Sequence, residues 1–184
     1  MPFSPAPSSQ SLPRLSTVVA AASATVDVEA TFDSTYDEYL IRVTDLVTAN
    51  DNVNLLCRLK IGGAYLDTAT YVWQLDMLSS AAATYLGLSA LRNAPETAIK
   101  LASGVGNAAG EGMSFDMRVT NPAGAALMKK LFSRGSYIDR LAGEINRMDG
   151  VGFNTGTAAL TGVRFFASVG NITSGTFRLY GIAK

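Results

Sequence analysis

The sequence predicts an all-β fold, an antiparallel β-sandwich of about eight strands preceded by an extended N-terminal arm. Three observations predict it. From residue 24 onward, apolar residues recur with a period of two, the spacing of half-buried strands. Gly, Asn and Pro interrupt these runs at spacings that suit short strands joined by turns. The opening stretch MPFSPAPSSQSLPRLS holds four of the six prolines and five serines, with no acidic residue.

The arm comes first. Proline fixes φ and lacks a backbone donor, so residues 1 to 16 are expected neither to pair in a sheet nor to run as a helix. Residues 1–23 are read as a Pro/Ser-rich attachment arm and residues 24–184 as the sandwich domain. Leu12, Leu15, Val18 and Val19 give the arm apolar anchors for a neighbouring subunit. A frayed terminus is the alternative.

The body follows in order. Val26, Val28, Ala30 and Phe32 alternate with Asp27, Glu29 and Thr31, and Tyr39, Ile41 and Val43 repeat the pattern after Asp33-Ser34. Val53, Leu55, Cys57, Leu59 and Ile61 define one strand face, closed by Gly62-Gly63. Ala69 to Gln74, with Tyr71 and Trp73, forms another short strand. From Leu75 to Leu91 the spacing of Leu75, Leu78, Ala82, Tyr85 and Leu86 fits a short helix, and an irregular loop fits equally. Residues 98–102 read as a strand, Gly104 to Gly110 as a turn, and Met113 to Thr120 as a strand stopped by Asn121-Pro122. In residues 125–149, Ile138, Leu141, Ile145 and Met148 form a helical stripe that pattern alone slightly favours over two strands joined at Gly143. Val163, Phe165, Ala167 and Val169, then Phe177 and Leu179, complete the sandwich.

Composition bounds the chemistry. A chain of 184 residues supplies one domain's core and needs no disulfide or metal to fold. Its single cysteine, Cys57, sits on an apolar strand face, where burial raises a thiol's pKa and denies it the thiolate. The absence of histidine removes catalytic triads, His-rich zinc sites and most neutral-pH acid/base schemes. A net charge of zero argues against a nucleic-acid partner. No run of 18 apolar residues is present, so no transmembrane helix is expected, and Val18 to Ala24 is too short and interrupted for a signal peptide. Only 16% of residues are charged, below the roughly 25–35% of a freely solvated surface, so part of the surface is expected to be covered by a partner. The 17 glycines and many small residues offer a purely compositional alternative.

Several stretches resemble sites in part. Gly104-Val105-Gly106 with Gly110 lacks the Gly-Lys-Ser/Thr ending of a phosphate loop. Asp33, Asp37 and Glu38 cluster without the spacing of a calcium loop. Glu111 and Asp149 are available carboxylates for a glycosidase, which needs a pair about 5 to 10 Å apart. Asn171-Ile172-Thr173 meets the acceptor rule for N-glycosylation. Lys129, Lys130, Arg134, Arg140 and Arg147 form a modest basic patch. Tyr36 and Tyr39 are candidates to rim a sugar groove, as are Tyr65, Tyr71 and Trp73 in a groove between subunits. The reading assigns no catalytic, cofactor-binding or metal residue and no cofactor, and expects no enzyme.

Tyr36-Asp37-Glu38-Tyr39-Leu40-Ile41-Arg42-Val43, Asn121-Pro122, Val163-Arg164-Phe165-Phe166 and Gly170-Asn171-Ile172-Thr173-Ser174-Gly175-Thr176-Phe177-Arg178-Leu179-Tyr180-Gly181-Ile182 together resemble tailed-bacteriophage virion proteins. The resemblance spans most of residues 24–184 and is most specific in the C-terminal stretch. It implies a jelly-roll β-sandwich, found as a head decoration or as a tail or fibre domain, that assembles as a homo-oligomer. No catalytic residues come with it. A jelly roll also needs about eight strands, so residues 137–149 are expected to be strands despite the helical stripe. The expected function is that of a virion structural protein, a head decoration or cement protein that forms a homotrimer and binds the major capsid protein or other virion proteins through its arm. The alternative is a tail, baseplate or fibre component, including a receptor-binding module for a cell-surface glycan. No nucleic-acid or membrane partner is expected.

Overall fold

The computed structural model describes residues 12–29, 32–80, 85–90, 94–140 and 144–182. The part of the arm in residues 1–11 lies outside the described residues. The elements are β1 (Arg14–Ser23), β2 (Val26–Glu29), β3 (Glu38–Thr48), β4 (Val53–Ile61), β5 (Ala64–Tyr65), β6 (Tyr71–Ser79), β7 (Tyr85–Ala90), β8 (Ile99–Val105), β9 (Met113–Thr120), β10 (Lys129–Ile138), β11 (Ile145–Asn154), β12 (Leu160–Ala167) and β13 (Ile172–Ile182). The fold is all-β, with two antiparallel sheets. The larger runs β1-β13-β3-β9-β10-β11-β6-β7, and the smaller runs β2-β12-β4-β5 with β8 also paired to β4.

The period of two explains both layers. Val53, Leu55, Cys57, Leu59 and Ile61 of β4 are all buried, and the residues between them are half-buried. Tyr39, Ile41 and Val43 of β3, Phe115, Met117 and Val119 of β9, and Phe177 and Leu179 of β13 face them from the other sheet. Phe165 of β12 joins the layers, its ring 5.1 Å from Phe177 and 6.1 Å from Phe115. Burying each such ring contributes about 1.5–3 kcal/mol, so the aromatic contact at the centre of the sandwich is a principal source of its stability.

Three expectations need correction, and a fourth, the strands expected in residues 137–149, holds and is extended. Thirteen strands are present among the described residues where about eight were expected. Arg14 to Ser16, expected to stay unpaired, belong to β1, which pairs with β13 along its length. Pro13 sits just before the strand, where its missing N–H costs the ladder nothing. No helix forms between residues 75 and 91 among the described residues: Leu75 and Met77 continue the inward face of Tyr71 and Trp73 along β6, and β7 pairs back onto it. In residues 125–149 the strand alternative holds, and it extends further than expected, as the long hairpin of β10 and β11. Ile145 points outward, half exposed, and Met148 points inward, so the helical stripe falls on two faces.

Candidate functional site

The rings nominated for sugar binding are mostly committed to the interior. Tyr71 and Trp73 point inward from β6 and are buried. Tyr39 is fully buried, accepts the Asp33 N–H at 3.0 Å and donates to Asp33, and burial pushes its phenol up to about 12. Tyr36 is half-buried and meets Tyr39 edge-on, with ring centroids 5.6 Å apart. Tyr65 donates to Glu29 Oε1 at 2.9 Å, and the Arg164 guanidinium stands 4.0 Å over its ring. A sugar would have to displace that cation to stack there. Cys57 is fully buried, and desolvation pushes its thiol far above the ordinary range.

Several of the nominated charges are held by local partners. Hydrogen bonds from Thr35, its side chain first and then its N–H at 2.8 Å, hold the Asp33 carboxyl below the usual range, and Glu38 lies 3.7 Å from Arg118. Among the described residues no three His, Cys, Asp or Glu side chains are placed to hold a metal. Glu111 bonds back to the Ala108 N–H in its own loop, and Asp149 faces Arg134 at 3.4 Å; the structure does not bring the two together as a catalytic pair. Asn171 donates to the Ala22 carbonyl, tying β1 to the start of β13. The basic patch does not form as a unit. Lys129 is buried, its ammonium donating to the carbonyls of Asn121, Gly124 and Leu127, and Lys130 is exposed. Lys129 thus closes the 121–127 loop from below.

At one end of the sandwich a cleft of about 360 Å³ is lined by Ser103, Tyr137, Asp139, Arg140, Glu144 and Asn146, among others. Its polar atoms bond to one another. Tyr137 donates to the Ser103 carbonyl, Asn146 Nδ2 to Asp139 Oδ2 at 2.7 Å, and Ser79 to Glu144 Oε2 at 3.2 Å. These contacts brace the ends of β6, β8, β10 and β11.

The eight-stranded sheet offers surfaces for binding. Its register places Arg178, Arg42, Asp116, Arg134, Asp149 and Asp76 in one line across β13, β3, β9, β10, β11 and β6. Arg42 grips Asp116 through two 2.8 Å bonds. Such exposed cross-strand pairs contribute little stability each, but they neutralise the face within its own plane. Beside that line Phe132 and Val151, registered opposite each other on β10 and β11, are 48% and 45% exposed. At the margin of the sheet lies β1, ten residues long, with Val19 66% and Leu15 38% exposed. Sequence reasoning missed β1 as a strand. Its signal was the β-branched run Thr17-Val18-Val19.

Compared with protein-family models and with curated proteins, the sequence matches none.

Proposed function

We propose that this chain is a structural protein of a tailed-bacteriophage virion: a jelly-roll sandwich that self-associates and attaches to the head as a decoration or cement protein. The observation that carries this reading is the nesting of the strand pairs. β2 pairs with β12, β3 with β9, β4 with β8 and β6 with β7, each pair enclosed in sequence by the one before. Successive pairs fall alternately in the smaller and the larger sheet. A single long antiparallel hairpin rolled into two layers gives this order, with β12 against β4 and β11 against β6 closing the roll. This order supports the jelly-roll reading, the arrangement used by viral capsid and lectin domains. Here the meander β9-β10-β11 fills the place of one strand, and β1 and β13 widen one sheet.

The work of such a protein is binding. A sheet face neutralised in register and flanked by exposed apolar residues suits burial against protein, in keeping with the low charge fraction. The partners are further copies of the chain, with a trimer as the expected state, and the major capsid protein or another virion protein. Repetition around a symmetric particle turns modest single contacts into near-permanent attachment through effective concentration. A tail, baseplate or fibre position is the second placement. A glycan-binding module fits less well, because Tyr71 and Trp73 are in the core and Arg164 covers the Tyr65 ring.

The test is co-sedimentation of the tagged chain with particles of the phage that encodes it, followed by gold labelling. Binding that disappears on deletion of residues 1–13, with label on the head, is the expected result. Label at the tail moves the protein there, and a chain that never sediments with particles overturns the proposal.

A further inference from the structure

The free edge of β1 has a defined chemistry. Among the described residues β1 ends its sheet and is paired on one side only, to β13. Two side-chain bonds fix which backbone groups face which way. Asn171, next to the first residue of β13, donates to the Ala22 carbonyl at 2.9 Å, whereas the Ala21 N–H turns to Ser23 Oγ at 3.2 Å. In an antiparallel strand alternate residues direct both backbone groups to opposite sides. Ala22 departs from strand geometry at φ 51° while its carbonyl still faces β13; Val18 and Ala20, opposite Phe177 and Gly175, serve β13 on the same side, and Thr17 and Val19 present N–H and C=O to the open side.

Natural edge strands are guarded by brevity, charge, proline or a bulge that turns the edge away. β2, at the edge of the smaller sheet, has four residues and carries Asp27 and Glu29. β1 has ten residues and no proline, its one register irregularity lies at its start between Arg14 and Ser16, and its sole charge is Arg14. The chain then carries no charge from Leu15 to Val26.

We infer that β1 is the self-association site: β1 of a second copy adds to it antiparallel about a twofold axis, joining two eight-stranded sheets into one. The inference rests on the proposed self-association and names its surface. A twofold axis at Val18 sets Thr17 opposite Val19 of the second copy and Val19 opposite its Thr17, so the four outward backbone groups of each copy find partners at once. The irregularity between Arg14 and Ser16 and the positive φ of Ala22, 51°, bound the regular pairing at its two ends, which puts the two arginines at opposite ends of the seam. No like charges meet, and the zero net charge of each chain adds no long-range repulsion. Thr17 and Val19 form β-branched cross-strand pairs, and the exposed Val19 and Leu15 become covered. The Ser23 hydroxyl, holding the Ala21 N–H, ends the ladder. An isologous contact of this kind closes on itself and is compatible with a trimer only within a dihedral hexamer.

The full-length chain is measured by light scattering over a concentration series together with amide hydrogen exchange. The expected species is a hexamer, two of the proposed trimers joined through β1, or a dimer where the trimer contact does not form, with the Thr17 and Val19 amides protected when assembled and exchanging freely on dilution. Thr17→Pro and Val19→Pro each remove one outward N–H and leave the β13 ladder intact, so each is expected to weaken assembly by roughly tenfold or more. A monomer at the highest soluble concentration, a closed trimer, proline variants that assemble normally, or assembly with both amides unprotected overturns the inference. Loss of particle binding with β1 pairing intact would sink the virion reading alone.

Discussion

Tyr36 lies face-on against Gly181. A Cβ placed on Gly181 would stand 2.6 Å from three carbons of the Tyr36 ring, so only glycine admits the ring there. Gly181 is registered opposite Tyr39 across β3 and β13, and Tyr36 meets Tyr39 at an interplanar angle of 84°. Two of the four segments quoted for the expected resemblance, 36–43 and 170–182, are thus packed on each other. Gly181→Ala is expected to cost about 1–3 kcal/mol by overpacking, read as a lower urea midpoint at an unchanged slope. Adding Tyr36→Ala removes the obstacle, so the double variant should lose less than the sum of the single losses. Strictly additive losses would show that the ring is not what the new methyl group strikes.

Tyr71 bridges β4 and the chain leading into β6 from inside the core. Its buried hydroxyl accepts the Leu59 N–H at 2.9 Å and donates to the Leu66 carbonyl at 3.0 Å. Tyr71→Phe keeps the ring and leaves a buried backbone donor unpaired, at a cost of about 1–3 kcal/mol. Hydrogen exchange at the Leu59 amide should accelerate in the same variant. Unchanged stability and exchange would show that the amide finds another acceptor.

The buried phenols set an alkaline limit. Burial pushes Tyr39 and Tyr71 up to about 12 and raises Tyr65 and Tyr137 further. A folded-state pKa above the unfolded value of about 10 contributes stability in full below pH 10, and that stability is lost as the pH rises through the folded value. The folded chain should therefore keep these four of its seven tyrosines protonated at about pH 11 and unfold more readily as the pH approaches 12. Ultraviolet difference absorbance with parallel circular dichroism checks this. Ionisation of all seven tyrosines near pH 10 in a folded chain would contradict it.

Strands were legible where one face is core and the other wet. β4 is the clearest case, because its five alternate apolar positions are all buried. β1 was obscured because the prolines and serines before it set the local composition, while its own alternation is carried by small residues such as Ser16 and Ala20. The β10-β11 hairpin was ambiguous because Ile138, Ile145 and Met148 satisfy a helical spacing even though the chain reverses between them. Lys129 was read as a surface charge, and nothing local marks it as buried. Its partners are loop carbonyls that come beneath it only once β9 and β10 pair. The nominated aromatic residues were legible as important side chains but not as inward or outward, since that depends on strand phase. A binding edge leaves even less trace, because it is defined by which backbone groups lack a partner.

Glu29, Lys60 and Tyr65 give a prediction for acid. The Glu29 carboxylate accepts from Lys60 Nζ and from the Tyr65 hydroxyl, both at 2.9 Å, and these bonds, Lys60 first, hold its pKa below the ordinary 4.5. The depressed folded value means that the contribution is complete above about pH 4.5 and is lost as the pH falls through the folded pKa. The Glu29 side chain is 46% exposed, so solvent screening keeps that contribution small. The sharper readout is therefore the titration itself. Lys60→Met should raise the Glu29 pKa toward 4.5, followed by carboxyl-carbon NMR, with Tyr65→Phe producing a smaller rise. Any stability gap between wild type and Lys60→Met at neutral pH should close once Glu29 is protonated in both. A Glu29 titration indifferent to both substitutions would mean that neither bond persists in solution.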